Sequence, residues 1–549
     1  MHLFPILLLL CLSTSRSTAE LFTAIVDLER LLETEKSIAT LLDSYLQAED
    51  ERLTKLRFFR DNYRRIHAIA SQDSESYLSN PVNAYLLVKR LTMDWKAVES
   101  LVVTGPAETG RAAIANLTSR VDYVTSFPSA EDLSGAAAAL IRLQDTYQLE
   151  TAALARGQIP VHYSHQTSSP KSISNNLELT AGDCFELGRH SYGNGDYYHT
   201  VLWMQESLHR VQDENPVTAD VAEILEYLAF STFKQGNVDE ALRLTYRLLD
   251  LVPYHQRALG NRDYYVNLMN SESLKKRGDD GDVPVDGFVR QASTAPKEST
   301  EREIYESLCR GENRMSIQTR SRLKCYYWTQ NKHPALTLTR IKVEEAFQKP
   351  LVLLFHDVIS DDEIQVIKEL SGPRLKRATV QNSQTGALET ASYRISKSSW
   401  LKNSDHSVVQ QVSRRIEDII GLTTETAEEL QVVNYGIGGH YDTHFDFARK
   451  EETNAFKNLG TGNRIATWMF YMSHVEAGGA TVFPELGVTI WPEKGAAAFW
   501  YNLHPNGEGD MLTRHAACPV LVGSKWVSNK WFHEKGQELR RPCGLKINS

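Results

Sequence analysis

The apolar residues of this chain change their period near residue 335, and that change bounds the fold more tightly than any other feature. Before it, apolar positions recur at helical spacing. Leu21, Leu28, Leu31, Ile38, Leu42, Tyr45, Leu53, Leu56, Tyr63 and Ile66 stand mostly three, four or seven residues apart, with charged residues between them. Such spacing lines one face of a helix, and a helix this long needs a helical partner. A coiled-coil dimer and an intramolecular bundle both satisfy it. After the change, short apolar runs at residues 351–355, 464–472 and 495–501 are separated by Gly, Pro and Asn. That is strand texture, and several such strands predict a sandwich or jelly roll. The expected fold class is therefore multidomain α + β, helical first and antiparallel after.

The chain has 549 residues, enough for three or four domains. Residues 1–19 read as a secretory signal: an apolar run over 3–12, then small and polar residues ending Ser17-Thr18-Ala19. That run is too short to span a bilayer, and no later stretch is long enough. Residues 20–160 are expected to form an N-terminal helical dimerisation domain. Within it, Asn80 is placed as an N-cap with Pro81 at the first helical position. Residues 160–176, rich in Ser, Asn and Pro, read as a linker. Residues 177–270 carry Leu187-Gly188, Tyr192, Gly195-Asp196-Tyr197, Tyr227, Gly236-Asn237, Ala241-Leu242 and Pro253. This pattern resembles tetratricopeptide hairpins, in which small residues let paired helices approach. Residues 271–334 open with Gly-Asp-Asp-Gly-Asp and a Ser/Thr/Pro cluster, and read as a linker region. Residues 335–549 form the last domain.

A formal net charge of −9 gives no reason to expect nucleic acid. Without Cys11 of the signal, five cysteines remain. In an oxidising lumen the nearest pairings are Cys309 with Cys325 and Cys518 with Cys543, leaving Cys184 free. None has zinc-ligand spacing. Asn116-Leu117-Thr118 is a glycosylation acceptor.

The chemistry concentrates near the end. His444 and Asp446 stand two apart, and two imidazoles with one carboxylate are the set that holds a non-haem Fe(II) with an open face. Alternation alone leaves the membership open. His440 and Asp442 form a second pair on the same face, and His504, His515 and His533 are all candidates for the distal imidazole. Further on, strand alternation puts Lys525, Val527, Asn529, Trp531 and His533 on one face, with Lys530 on the other and solvated. A lysine beside such a metal site suits an organic acid co-substrate.

The words around these residues are long and specific. They include Tyr435-Gly-Ile-Gly-Gly, His444-Phe-Asp446-Phe-Ala-Arg, residues 459–468, Gly478-Gly-Ala-Thr-Val-Phe-Pro484, Phe499-Trp-Tyr-Asn-Leu503, residues 514–523 and Lys525-Trp-Val-Ser-Asn-Lys-Trp531. On these words the chain closely resembles the collagen prolyl 4-hydroxylase alpha-subunit family, and residues 80–85 and 183–188 extend the likeness over the mature chain. The resemblance implies a C-terminal double-stranded β-helix that acts as a procollagen-proline 4-dioxygenase, hydroxylating C4 of peptidyl proline in X-Pro-Gly sequences. It implies Fe(II) on His444, Asp446 and His515, with 2-oxoglutarate held by Lys525 and O2 as second co-substrate. L-Ascorbate would rescue oxidised iron. His533 corresponds to a further active-site histidine, Tyr435 to a residue that orients the co-substrate, and His440 falls where the family often has glutamine. A tetratricopeptide groove would bind the peptide through Tyr192, Tyr227, Arg257, Asn261 and Tyr264. Phe230 and Phe233 stand there where relatives can have tyrosine, so stacking on proline would persist without hydroxyl contacts. The implied partner is protein disulfide isomerase, in an α2β2 tetramer of the endoplasmic reticulum lumen. Residues 546–549 are not a retention signal, and the partner would supply retention. Two other readings are an enzyme for a different proline-rich substrate and an inactive peptide-binding scaffold. The complete iron and co-substrate set speaks against the scaffold.

Overall fold

The computed structural model describes residues 25–103, 130–159, 177–276, 300–329, 333–381, 388–452, 455–456 and 459–545. The signal segment, Asn116 and the 160–176 segment lie outside these. The described residues divide into two units, residues 1–68 with 93–127 and residues 69–92 with 128–549. The expected long helix runs over Ile25–Ala70, in the first unit as far as Ala68, and within that unit Arg52 donates to the carbonyl of Leu101 at 2.9 Å.

In the second unit, after the short helix Ser74–Ser79, comes the expected cap. Asn80 Oδ1 accepts from the amides of Val82 at 2.9 Å and Asn83 at 3.4 Å, which starts the helix Pro81–Lys89. The helix Ala130–Tyr147 follows. Five helices then form the predicted hairpins: Ala181–Gly193, Tyr197–Arg210, Val221–Lys234, Val238–Leu251 and Gln256–Lys276. Side-chain oxygens of Thr180, Asp196, Asp220 and Asn237 cap the first four, satisfying amides that a helix leaves free. Gly188 lets the first two close together, since a Cβ there would lie 2.9 Å from Met204 Cε.

The linker expected over residues 271–334 is corrected from residue 300 onward. Thr300 and Glu303 form a capping box that starts the helix Glu301–Cys309, whose Tyr305, Leu308 and Cys309 are buried. The strand Cys325–Trp328 then pairs with Ile341–Gln348. The polar residues before 300 masked a short helix with one apolar face.

Among the described residues, the larger sheet has nine antiparallel strands. Their order is Cys325–Trp328, Ile341–Gln348, Leu351–His356, Ala497–Tyr501, Arg464–Tyr471, Lys525–His533, Leu430–Tyr435, Lys397–Leu401 and Lys376–Arg377. The smaller has five, in the order Val488–Ile490, Thr481–Phe483, His515–Ala517, His440–His444 and Arg394–Ile395. Alternation gives each sheet two faces. Val433, Met469, Trp500 and Val527 of the larger sheet pack against Phe483, Ile490 and Ala517 of the smaller, forming the jelly-roll interior. On the outer face of the larger sheet, Trp468, Phe470 and Phe532 meet Ile364, Ile367, Val412 and Ile416 of the helices Asp361–Ser371 and Ser407–Ile420. That covered face also holds Lys530, which is 2% exposed. The expectation of a solvated Lys530 fails because strand parity names a face without saying what covers it.

The cysteine pairings are also corrected. Cys309 bonds to Cys518, while Cys325 and Cys543 carry exposed thiols and Cys184 a buried one. The nearest-neighbour pairing fails because the helix Glu301–Cys309 packs on the outer face of the smaller sheet. Tyr305, Leu308 and Cys309 share a core there with Val482, Ala516 and Cys518. Cys325 leaves that core to join the far edge of the larger sheet.

Candidate metal centre and peptide groove

Two neighbouring strands of the smaller sheet carry the metal candidates. His444 ends one and stands directly opposite His515, which begins the other. The pairing register shifts between Tyr441 and His444. This bulge adds a residue, so Tyr441 and His444 face the same way and stack with ring centroids 3.6 Å apart. Tyr441, His444 and Asp446 line a cavity of about 740 Å³, while His440 and Asp442 do not. The second His-x-Asp pair, which alternation placed on the same face, is thereby turned away. His440 is buried elsewhere, next to Arg142.

The ligand atoms of His444, Asp446 and His515 all lie within 4.8 Å of one another. Nε2 of His444 is 3.7 Å from Asp446 Oδ1, and Nε2 of His515 is 3.7 Å from Asp446 Oδ2. Nδ1 of each ring is held by a backbone carbonyl, that of Asp442 at 2.8 Å and that of Thr513 at 3.0 Å. These bonds place a proton on Nδ1 and aim Nε2 at the shared point. Burial, followed by the nearby His515, lowers the pKa of His444 to about 3. Burial alone would raise that of Asp446, but His515, His444 and Arg464 outweigh it and keep the carboxylate ionised. Two imidazoles and a carboxylate, converging in a cavity, form the donor set that a divalent iron takes.

Lys525 enters the same cavity from the larger sheet, directly opposite Tyr435. It is 1% exposed. Its Nζ lies 3.4 Å from Thr481 Oγ1 and 5.5 Å from the centre of the Tyr435 ring. Among the described residues no carboxylate pairs with it, and burial lowers its pKa to about 7. A buried ammonium without an anion is costly, so the site fits a carboxylate-bearing co-substrate that spans from Lys525 to the metal.

Val527, Asn529 and Trp531 line the cavity as parity predicts, but His533 does not. His533 is fully buried, with Nδ1 2.8 Å from the Gly462 carbonyl and Nε2 3.0 Å from Glu428 Oε1. Glu428 accepts in turn from Arg464 Nε at 2.5 Å and Nη2 at 3.0 Å. Arg464 donates to the Asp446 carbonyl at 3.3 Å and lies 3.8 Å over the Trp531 ring. His533 therefore stands behind the cavity wall, touching Glu428 and the ring of Phe456, both of which line the cavity. The sequence reading missed Glu428, Arg464 and Thr467. Thr467 carried a signal, as the one aliphatic hydroxyl in the apolar run 465–472, a group that must find a partner once buried.

The five groove candidates lie on three of the five hairpin helices. Tyr192 meets Tyr227 edge to face at 4.9 Å and Phe230 at 5.9 Å. The row continues from Phe230 to Phe233 at 6.3 Å and from Phe233 to Tyr264 at 5.7 Å. Arg257, Asn261 and Tyr264 are spaced four and three apart, on one face of their helix. Tyr264 is 56% exposed, and Arg257 pairs with Glu226 at 2.6 Å. The row is half-buried and partly exposed, unlike a closed aromatic core.

Comparison with known proteins agrees with this organisation. Residues 24–160 match the prolyl 4-hydroxylase alpha-subunit N-terminal region, residues 181–271 the prolyl 4-hydroxylase peptide-substrate-binding domain, and residues 430–533 the 2OG-Fe(II) oxygenase superfamily. The chain is 50% identical to prolyl 4-hydroxylase subunit alpha-2 of Caenorhabditis elegans, across 98% of this chain and 96% of the relative. Identity to subunit alpha-1 of Mus musculus and of Homo sapiens is 47%, across 95% of each chain.

Proposed function

The chain belongs to the prolyl 4-hydroxylase alpha subunits, and from that premise we propose that it hydroxylates C4 of peptidyl proline in collagen-like X-Pro-Gly sequences. The observation that carries the reading is the meeting, in one cavity, of the His444–Asp446–His515 triad and a buried Lys525 that no carboxylate among the described residues pairs with. His444, Asp446 and His515 would hold Fe(II). With 2-oxoglutarate and O2, the iron supplies the oxidation that places a hydroxyl on C4 while the oxo acid is released as succinate and CO2.

The residues around the metal do the rest. Lys525 would bind the far carboxylate of 2-oxoglutarate, a charge-assisted bond worth about 1.5–3 kcal/mol. Tyr435, opposite Lys525, would orient the same molecule. Thr467 and Arg464 hold the side chain and main chain of Asp446. Tyr192, Tyr227, Arg257, Asn261 and Tyr264 would form the peptide groove. Its aromatic row suits a proline-rich chain, which is already extended and loses little entropy on binding. L-Ascorbate would keep the iron reduced. The disulfide fits an oxidising compartment, which supports an endoplasmic reticulum enzyme assembled with protein disulfide isomerase as an α2β2 tetramer. Among the described residues no helix is long and apolar enough to cross a membrane.

The test is to co-express the chain with protein disulfide isomerase and supply a Pro-Pro-Gly repeat peptide with Fe(II), 2-oxoglutarate and ascorbate. Hydroxyproline above a His444→Ala control is expected, and its absence would reject the reading.

A further inference from the structure

The helix Ala130–Tyr147 falls within the N-terminal region by family, yet it packs between the peptide hairpins and the metal-bearing sheet. On the sheet side, Arg142 donates to the carbonyl of Gly438 at 2.9 Å, and Tyr147 Oη donates to the carbonyl of Pro519 at 2.5 Å. Gly438 precedes the strand that ends at His444, and Pro519 follows the strand that begins at His515. The two loops are tied together, since the Gly438 amide donates to the Val520 carbonyl at 2.8 Å. The fit is close: a Cβ on Gly438 would lie 2.6 Å from Ala139 Cβ, and one on Gly478 would lie 2.6 Å from Tyr147 Oη.

On the groove side, Asp145 lies 3.4 Å from Nε2 of the buried His199, on the second hairpin helix. One apolar core joins Leu140, Leu143 and Tyr147 to Cys184, Leu187 and Trp203 of the hairpins and to Val482 and Ala516 of the sheet. Phe185 and Tyr192 belong to the aromatic row and lie on the same helix as Cys184 and Leu187.

We propose that the helix Ala130–Tyr147 is a rigid mount that fixes the peptide groove relative to the metal cavity, making Asp145 and Arg142 positioning residues for long proline-rich chains. This rests on the groove reading above. A chain held in both sites makes its second contact intramolecularly, and that advantage depends on a fixed span between the sites. A short chain that reaches only the cavity gains nothing from the mount.

The test uses the full chain with its partner. The substrates are a peptide of about three Pro-Pro-Gly repeats and one of about fifteen, extended at roughly 3.1 Å per residue. Asp145→Asn loosens the groove side and Arg142→Ala the sheet side. Both residues sit at the rim of the core, so the fold should persist. Each variant is expected to raise KM for the long peptide by about three- to tenfold. KM for the short peptide and for 2-oxoglutarate should stay unchanged. A long-peptide KM at the wild-type value, or a parallel shift for both lengths, would overturn the mount. Tyr227→Ala separates the two ideas. If it leaves the long-peptide KM unchanged, the groove reading itself fails, and the mount with it. If it raises that KM while the mount variants do not, only the mount fails.

Discussion

Thr467 donates its hydroxyl hydrogen to Oδ2 of Asp446 at 2.7 Å, and Asn502 Nδ2 donates to the same Thr467 oxygen at 2.9 Å. All three residues are buried. The chain fixes which way the carboxylate turns, as partners of metal-binding carboxylates commonly do. Thr467→Val keeps the shape but takes this donor from Asp446 Oδ2 and leaves Asn502 without its acceptor. Affinity for Fe(II) should fall about 10–100-fold, while Thr467→Ser should retain most of it. Titration of the protein with Fe(II) under anaerobic conditions reads both. An unchanged affinity in the valine variant would mean that Asp446 needs no such support.

Burial lowers the Lys525 ammonium to about 7. A bound carboxylate favours the charged form. Below about pH 7 the lysine already carries its proton, so binding of 2-oxoglutarate should be insensitive to pH. Above it, binding must take up a proton, and KM for 2-oxoglutarate should rise by up to about tenfold per pH unit. Lys525→Arg should raise KM at every pH, because the planar fork must fit between Thr481, Tyr435 and Tyr471. Initial rates against 2-oxoglutarate from pH 6 to 9 would show both effects. A KM flat across pH 7 would refute the first.

The sequence made much of this site legible because its chemistry needs particular residues at short spacing. His444 and Asp446 stand out as a pair, and parity along 525–533 correctly turned Lys525, Val527, Asn529 and Trp531 into the cavity. Parity failed where the backbone adds a residue. The bulge between Tyr441 and His444 removes His440 and Asp442 from the face that counting gave them, and no residue in that stretch announces it. Long-range packing was the other blind spot. Cys309 finds Cys518 across 209 residues because a helix packs on the outer face of the smaller sheet there, and Lys530 is covered by helices from distant segments. Helix caps depend only on neighbours three residues away, and Asn80 was read correctly for that reason.

Gly438 adopts φ +68°, and a Cβ there would lie 2.6 Å from Ala139 Cβ. Gly438→Ala therefore carries both a left-handed backbone penalty and a steric one. Together these should destabilise the protein by about 1–3 kcal/mol. The thermal midpoint of the purified complex should fall accordingly. Ala139→Gly removes the closest contact, so against an Ala139→Gly background the penalty of Gly438→Ala should shrink toward its backbone part. An equal penalty in both backgrounds would place the cost in the backbone.

His199 is 3% exposed and lies 2.7 Å from Asp196 and 3.4 Å from Asp145. Burial alone would lower its pKa, but the bonds to Asp145 and Asp196 outweigh burial and raise it to about 9. The unfolded value is near 6.5, so the folded state binds the proton more tightly. The stabilisation is fully present below about pH 6.5 and is lost as pH rises through about 9. Its size is on the order of a few kcal/mol. Unfolding midpoints should thus decline between pH 7 and 9.5 in the wild type, and His199→Gln should remove that part of the decline. Parallel curves for the two proteins would show that the imidazolium does not hold the hairpins to the helix Ala130–Tyr147.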